Sequence, residues 1–136
     1  LGAVIAAKES LALVRRAMPP FPVNLAALVA AEAALREGQA IRRYVRDVQR
    51  LRDWFAAELQ QLGATTYPSS GNFLLANFGR SGTAFFAQLE RKGILVRDRS
   101  KDMGAGFVRI TIGTQEEMQT LVKEIKRSWK PTEGQS

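Results

Sequence analysis

The chain contains no cysteine and no histidine. The first absence excludes disulfides, thiolate nucleophiles and thiolate metal sites; the second removes the commonest general base and the commonest metal ligand. Most catalytic schemes that 136 residues could run unaided are therefore closed to it. A reducing, cytoplasmic setting is compatible with the lack of cysteine. Long apolar runs are missing too, since none approaches the ~20 residues of a membrane-spanning helix. No membrane is expected as a partner. The strongest apolar bias, Leu1 to Ala7, is short and has neither the basic leader nor the cleavage site of a secretory signal. It reads as a buried strand or the start of an apolar helix, with no neighbour close in sequence to pair it. No G-x-G-x-x-G or Walker-type loop is present, and Gly104-Ala105-Gly106 reads as a hairpin loop that opens no helix.

What is present suits one folded domain. A hydrophobic content of 46% with 24% charged residues is globular in balance, and the length allows burial of roughly two-thirds of the extended surface. A net charge of +7 admits a polyanion as partner. Without the aromatic and basic signature of an RNA-recognition strand, nucleic acid is not the expected partner, and a basic α/β module that binds it stands as the alternative of another class.

The helical signals come first along the chain. Lys8 to Met18 has helical spacing at Leu11, Val14 and Arg15, and three prolines in Met18 to Val23 make a rigid extended link. Asn24 offers an N-cap for an alanine-rich helix from Leu25 to about Arg36, with Gly38 as its stop. From Gln39 to Gln61 apolar residues recur at threes and fours, which predicts a long amphipathic helix. Its other face carries Arg42, Arg43, Arg46, Arg50 and Arg52, but interleaved acids and an i, i+4 pairing of Arg43 with Asp47 favour an ordinary solvated face.

The second half alternates strand and helix. Gly63 is a C-cap, Ala64 to Tyr67 a short edge strand, and Asn72 to Phe78 an apolar strand. Thr83 to Lys92 is a helix stopped by Gly93. Ile94 to Arg97 and Phe107 to Ile112 read as two strands joined by a polar, glycine-containing loop. Thr114 and Glu117 form a capping box for a last helix whose stripe is Met118, Leu121, Val122, Ile125 and Trp129. The fold class is α/β (α+β): a two-layer domain in which helices cover one face of a three- to four-stranded mixed sheet, preceded by the long helix. A right-handed crossover gives the order 72–78, 107–112, 94–97, the outer two strands being parallel.

Alternation places Val108, Ile110 and Ile112 on one face and Arg109 and Thr111 on the other. Arg97 on the neighbouring strand completes a two-guanidinium anion clamp, and Asn72 joins that face by alternation or else caps its own turn after Gly71. Asp98, Asp102, Glu116 and Glu117 show no pairing suited to acid-base work.

The segments P-P-F-P-V-N at 19–24, S-G-N-F-L-L at 70–75, K-G-I-L-V-R-D at 92–98 and V-R-I-T-I-G-T at 108–114, in this order and spacing, resemble the C-terminal part of the histidinol-phosphate aminotransferases. That family consists of fold-type I enzymes dependent on pyridoxal phosphate, and the resemblance runs from Leu1 to about Trp129. It implies that Arg109 holds the α-carboxylate of the amino-acid donor and that Arg97 helps hold the substrate phosphate; alternation, not the resemblance, adds Asn72 as a support of the site, with turn capping as its alternative. One anion site would then accept histidinol phosphate in one half-reaction and glutamate in the other, which rigid guanidinium forks suit.

The resemblance also implies what lies elsewhere. The segment S-K-x-x-x-L-x-G-L-R with the family's reactive lysine falls upstream of Leu1, and Lys8 does not match it. The expected organisation is a large-domain remnant at 1–18, a proline-rich seam at 19–24, the small domain at 25–130 and a tail at 131–136. The fragment alone is expected to be inactive and to bind no pyridoxal phosphate. The full-length enzyme is expected to be a cytoplasmic homodimer of histidine biosynthesis. An aromatic aminotransferase or a threonine-phosphate decarboxylase of the same fold is the rival within the enzyme class.

Overall fold

A computed structural model describes residues 2–130 of the chain. The chain divides into two units, Leu1–Tyr44 and Val45–Ser136.

In the first unit, residues 2–7 form neither strand nor helix, and Val4 and Ile5 are exposed. The strand or helix expected there is absent, because no other strand offers it backbone partners and no surface buries its side chains. Helix α1, Lys8–Ala17, follows without a buried residue. The proline-rich residues 18–23 are irregular, as their fixed φ angles and missing N–H groups require. Helix α2, Leu25–Arg36, starts where Asn24 accepts a hydrogen bond from the Ala27 amide at 2.8 Å. Glu37 rather than Gly38 closes it: the Glu37 amide donates to the Ala33 and Ala34 carbonyls while its ψ of 46° leaves the helical range. Gly38 is instead the first residue of helix α3, Gly38–Gln61, and the division between the units falls inside this helix.

The second unit is built on the covered face of a four-stranded sheet. Strands β1 (Thr65–Tyr67), β2 (Phe73–Asn77), β3 (Arg97–Asp98) and β4 (Phe107–Thr111) lie in the order β1-β2-β4-β3. The expected order of β2, β4 and β3 is found. Every adjacent pair is antiparallel, so β2 and β3 are parallel only across β4 and the sheet is not mixed in its pairing. Of the strand expected at Ile94 to Arg97 only Arg97 pairs with β4, and the pairing extends one residue beyond it to Asp98. The loop after β3 contains a single helical turn, α5 (Ser100–Met103), with Asp98 accepting from the Ser100 amide at 2.8 Å.

One face of the sheet supplies Leu74, Ala76, Val108, Ile110 and Ile112 to the core, where they meet Val48, Leu51, Phe55 and Leu59 of α3. Phe85, Phe86 and Leu89 of α4 (Gly82–Arg91) and the stripe of α6 (Gln115–Ser128) complete it. Phe78 is central: its ring makes tilted or edge contacts with Phe85, Phe86 and Trp129, the last at 4.9 Å between centroids. Close packing near the start of α4 needs two glycines. Gly106 has φ +81°, and a Cβ there would lie 2.0 Å from the Gly79 carbonyl oxygen; a Cβ on Gly82 would meet Gly106 Cα at 2.9 Å. Thr114 and Glu117 form the expected capping box, with the Thr114 amide donating to Glu117 Oε2 at 2.7 Å. These hydrogen bonds, the backbone one foremost, hold the Glu117 carboxyl below its ordinary value of 4.5. The tail at 131–136 and Leu1 lie outside the described residues.

Candidate functional site

The uncovered face of the sheet is set by strand parity. Residues directly opposite one another across a ladder share a face, so Tyr67, Leu75, Arg109 and Arg97 form one continuous row across all four strands. Phe73 and Thr111 flank that row on one side, and Asn77 and Phe107 on the other. All of these are half-buried or exposed, whereas their strand neighbours Leu74, Ala76, Val108 and Ile110 are buried.

Arg97 and Arg109 are direct cross-strand partners. Like charges directly opposite on a sheet repel, so the pairing costs stability unless something compensates. Neither guanidinium has a carboxylate partner among the described residues, although other arginines do: Arg99 bonds Asp102, Arg36 bonds Glu32 and Arg127 bonds Glu124. Arg109 instead lies over the Phe73 ring, its guanidinium carbon 5.4 Å from the centroid. At the β1 end of the row the Tyr67 ring stacks on Phe107, with 5.6 Å between centroids and 28° between planes. Two unpaired guanidinium forks bordered by aromatic rings form a surface that can receive a phosphate or a carboxylate bidentately.

The expected site residues are only partly brought together. Arg97 and Arg109 are adjacent as predicted. Asn72 precedes β2, where its carbonyl oxygen accepts from the Ile112 amide at 2.8 Å. Its parity is that of Leu74 and Ala76 rather than of Leu75 and Phe73, so alternation does not group it with Arg109. Phe73 was hidden in N-F-L-L-A-N-F, a nearly unbroken apolar run whose facing cannot be read from its own residues. Of the long-helix pairings, Asp47 lies 3.8 Å from Arg50 rather than beside Arg43. A cavity of about 490 Å³ lies elsewhere, between residues 93–96 and the start of α6, where Ile94, Leu95 and Val96 do not continue the β3–β4 ladder.

All six lysines are exposed: Lys8, Lys92, Lys101, Lys123, Lys126 and Lys130. A lysine that forms a Schiff base is activated by desolvation or by a neighbouring cation, and exposed positions supply no desolvation. The described residues therefore bring two arginines together without a set that fits pyridoxal phosphate. Among the described residues no cluster of three or more metal-ligating side chains occurs, and no helix is long and apolar enough to cross a membrane.

Comparison with known proteins agrees with the architecture. The family described as Aminotransferase class I and II matches residues 1–125. The histidinol-phosphate aminotransferase of Citrifermentans bemidjiense is 39% identical over 127 residues, covering 93% of this chain and 36% of that protein. The chain thus spans about a third of the length of the curated relatives it matches. Among solved structures, the histidinol-phosphate aminotransferase from Clostridium acetobutylicum superposes with a TM-score of 0.77 over 88% of this chain and 38% of its own, at 22% identity, which speaks to fold alone. The L-threonine-O-3-phosphate decarboxylase from Porphyromonas gingivalis gives 0.66 over 90% of this chain and 39% of its own, at 25% identity.

Proposed function

The chain belongs to aminotransferase class I and II, and from that premise we propose that it is the substrate-anchoring small domain of a pyridoxal-phosphate-dependent transaminase that exchanges an amino group between glutamate and imidazole-acetol phosphate. The observation that carries this is the direct cross-strand pairing of Arg97 and Arg109 on an uncovered face, with no carboxylate partner among the described residues. Such a pair is costly when empty and favourable when an anion sits between the forks.

In this reading Arg109 binds the α-carboxylate of glutamate, and Arg97 and Arg109 together bind the phosphate of the amino-alcohol substrate. Asn72 contributes through its backbone, which pairs with Ile112 at the entry to β2. The domain's work is orientation: a substrate gripped by its anionic end presents its amino group in one direction, and positioning of that kind replaces translational entropy that chemistry would otherwise lose. Pyridoxal phosphate supplies the electron sink when bound. In the longer protein its binding residues and the reactive lysine would lie outside this chain, and the whole would act as a soluble cytoplasmic homodimer of histidine biosynthesis. Residues 1–18 would belong to the large domain, 19–24 to the seam and 25–130 to the small domain.

The test is made on the longer protein. Rates with histidinol phosphate, phenylalanine and threonine phosphate are compared, and histidinol phosphate is expected to be preferred. Arg109→Lys should raise KM for glutamate, and Arg97→Leu should raise KM for histidinol phosphate more than for glutamate. Release of carbon dioxide from threonine phosphate without amino transfer would replace the proposal with a decarboxylase, the activity named for one structural neighbour. The chain by itself is expected to show no stoichiometric visible absorbance with pyridoxal phosphate that one lysine substitution abolishes.

A further inference from the structure

Arg109 needs something to hold it beside Arg97, and the Phe73 ring is what the fold provides. Leu75 is the direct partner of Arg109, which makes Phe73 the diagonal neighbour, at a separation that an aromatic ring and a long side chain can bridge. The guanidinium carbon stands 5.4 Å from the ring centroid, within cation-π range. The ring faces of aromatic side chains carry negative potential, so this contact offsets part of the repulsion from Arg97 while leaving the N–H groups free for a ligand.

The ring itself is held by an unusual vacancy in the chain. A Cβ on Gly71 would meet Phe73 Cε1 at 2.7 Å and Cδ1 at 3.0 Å, so the ring lies back over a position that only glycine leaves open. Gly71 is tied in turn to the rest of the fold. Its carbonyl oxygen accepts from Arg52 of α3 at 3.2 Å, and its amide donates to Ser69 Oγ at 3.1 Å. The Arg52 side chain is only 15% exposed, so this link runs from the packed helix layer to the edge of the open face.

We propose that Phe73 is the positioning residue for Arg109, and that Gly71, tethered by Arg52, is the device that keeps the Phe73 ring beneath the guanidinium. Its purpose rests on the anion-site reading given above; its geometry does not. The contact would matter equally for a carboxylate or a phosphate, because it orients the fork rather than contacting the ligand.

Inorganic phosphate is the probe, titrated into the 136-residue chain while the arginine Nε–H resonances are followed by NMR, with Arg109→Lys used for assignment. In the parent chain the Arg109 resonance should carry a ring-current shift. Phe73→Leu and Gly71→Ala should both remove that shift and weaken phosphate binding about fivefold, the equivalent of a cation-π contact of moderate exposure. Phe73→Tyr and Phe73→Trp should retain both properties, a rescue that general loss of packing would not give. Circular dichroism of each variant identifies any that fails to fold. An unchanged Arg109 resonance and unchanged phosphate affinity in Phe73→Leu would overturn the proposal. If phosphate perturbs neither arginine in the parent chain, the anion-site reading fails, and the ring-current difference between parent and Phe73→Leu still decides whether Phe73 positions Arg109.

Discussion

The two faces of the sheet are made by the same four strands in the same register, yet they have opposite chemistry. One face buries Leu74, Ala76, Val108, Ile110 and Ile112 against three helices, and the other displays Arg97, Arg109, Phe73, Tyr67 and Phe107. A side chain on the first face lowers the free energy of the fold by leaving water. The arginine pair on the second face does the reverse, since two like charges are brought together with no acid among the described residues to balance them. The difference teaches that strand parity separates the residues that stabilise the fold from those that leave charge exposed: Val108 and Arg109 are one step apart and lie on opposite faces.

Substitutions should obey that separation, beginning with the largest effect. Phe78→Ala removes a ring that is 1% exposed and central to the aromatic cluster, and should cost about 3–5 kcal/mol in urea unfolding. Gly106→Ala places a methyl group on the Gly79 carbonyl at a residue with positive φ, and should cost more than about 2 kcal/mol by the same measurement. Thr114→Ala breaks the capping box of α6 and should cost about 1 kcal/mol.

A pH series sharpens the same contrast. The Glu117 carboxyl is held low by Thr114, and the Glu124 carboxyl is held low chiefly by its hydrogen bond from Lys92. Because folding lowers both values, their contribution is present above the ordinary carboxylate range and is lost as pH falls through the depressed values. Acidification below 4.5 should therefore lower the unfolding midpoint, and Lys92→Met should flatten that dependence. The smallest effect is the most informative. Arg97→Leu should leave stability within about 0.5 kcal/mol, or raise it, because it relieves the repulsion with Arg109. A cost comparable to that of Phe78→Ala would mean that the open face is structural, and would break the comparison.

Much of this was legible from residue order. The capping box at Thr114 and Glu117, the Asn24 cap, the long helix and the alternation of V-R-I-T-I are local patterns, each readable within a few residues. The site was legible only where polar residues alternate with apolar ones. Arg109 sits between Val108 and Ile110, so its facing is explicit. Phe73 sits beside Leu74 and Leu75, so its facing is not, and the same ambiguity misassigned Asn72. Residues 2–7 show the limit most plainly, because an apolar composition does not make a strand where no edge accepts it.

The sequence by itself determined the long amphipathic helix and the capped helices after Asn24 and Thr114, which side of β4 is polar, and that no thiol or imidazole takes part. Helical periodicity, capping and strand alternation act over a few residues, which is why they could be read without the fold. Only the tertiary structure decided that Arg97 stands opposite Arg109, that Phe73 lies beneath the guanidinium, and that Gly71 makes room for the ring. Those facts depend on the pairing of strands brought together by α4, and register across a ladder is a property of two segments at once.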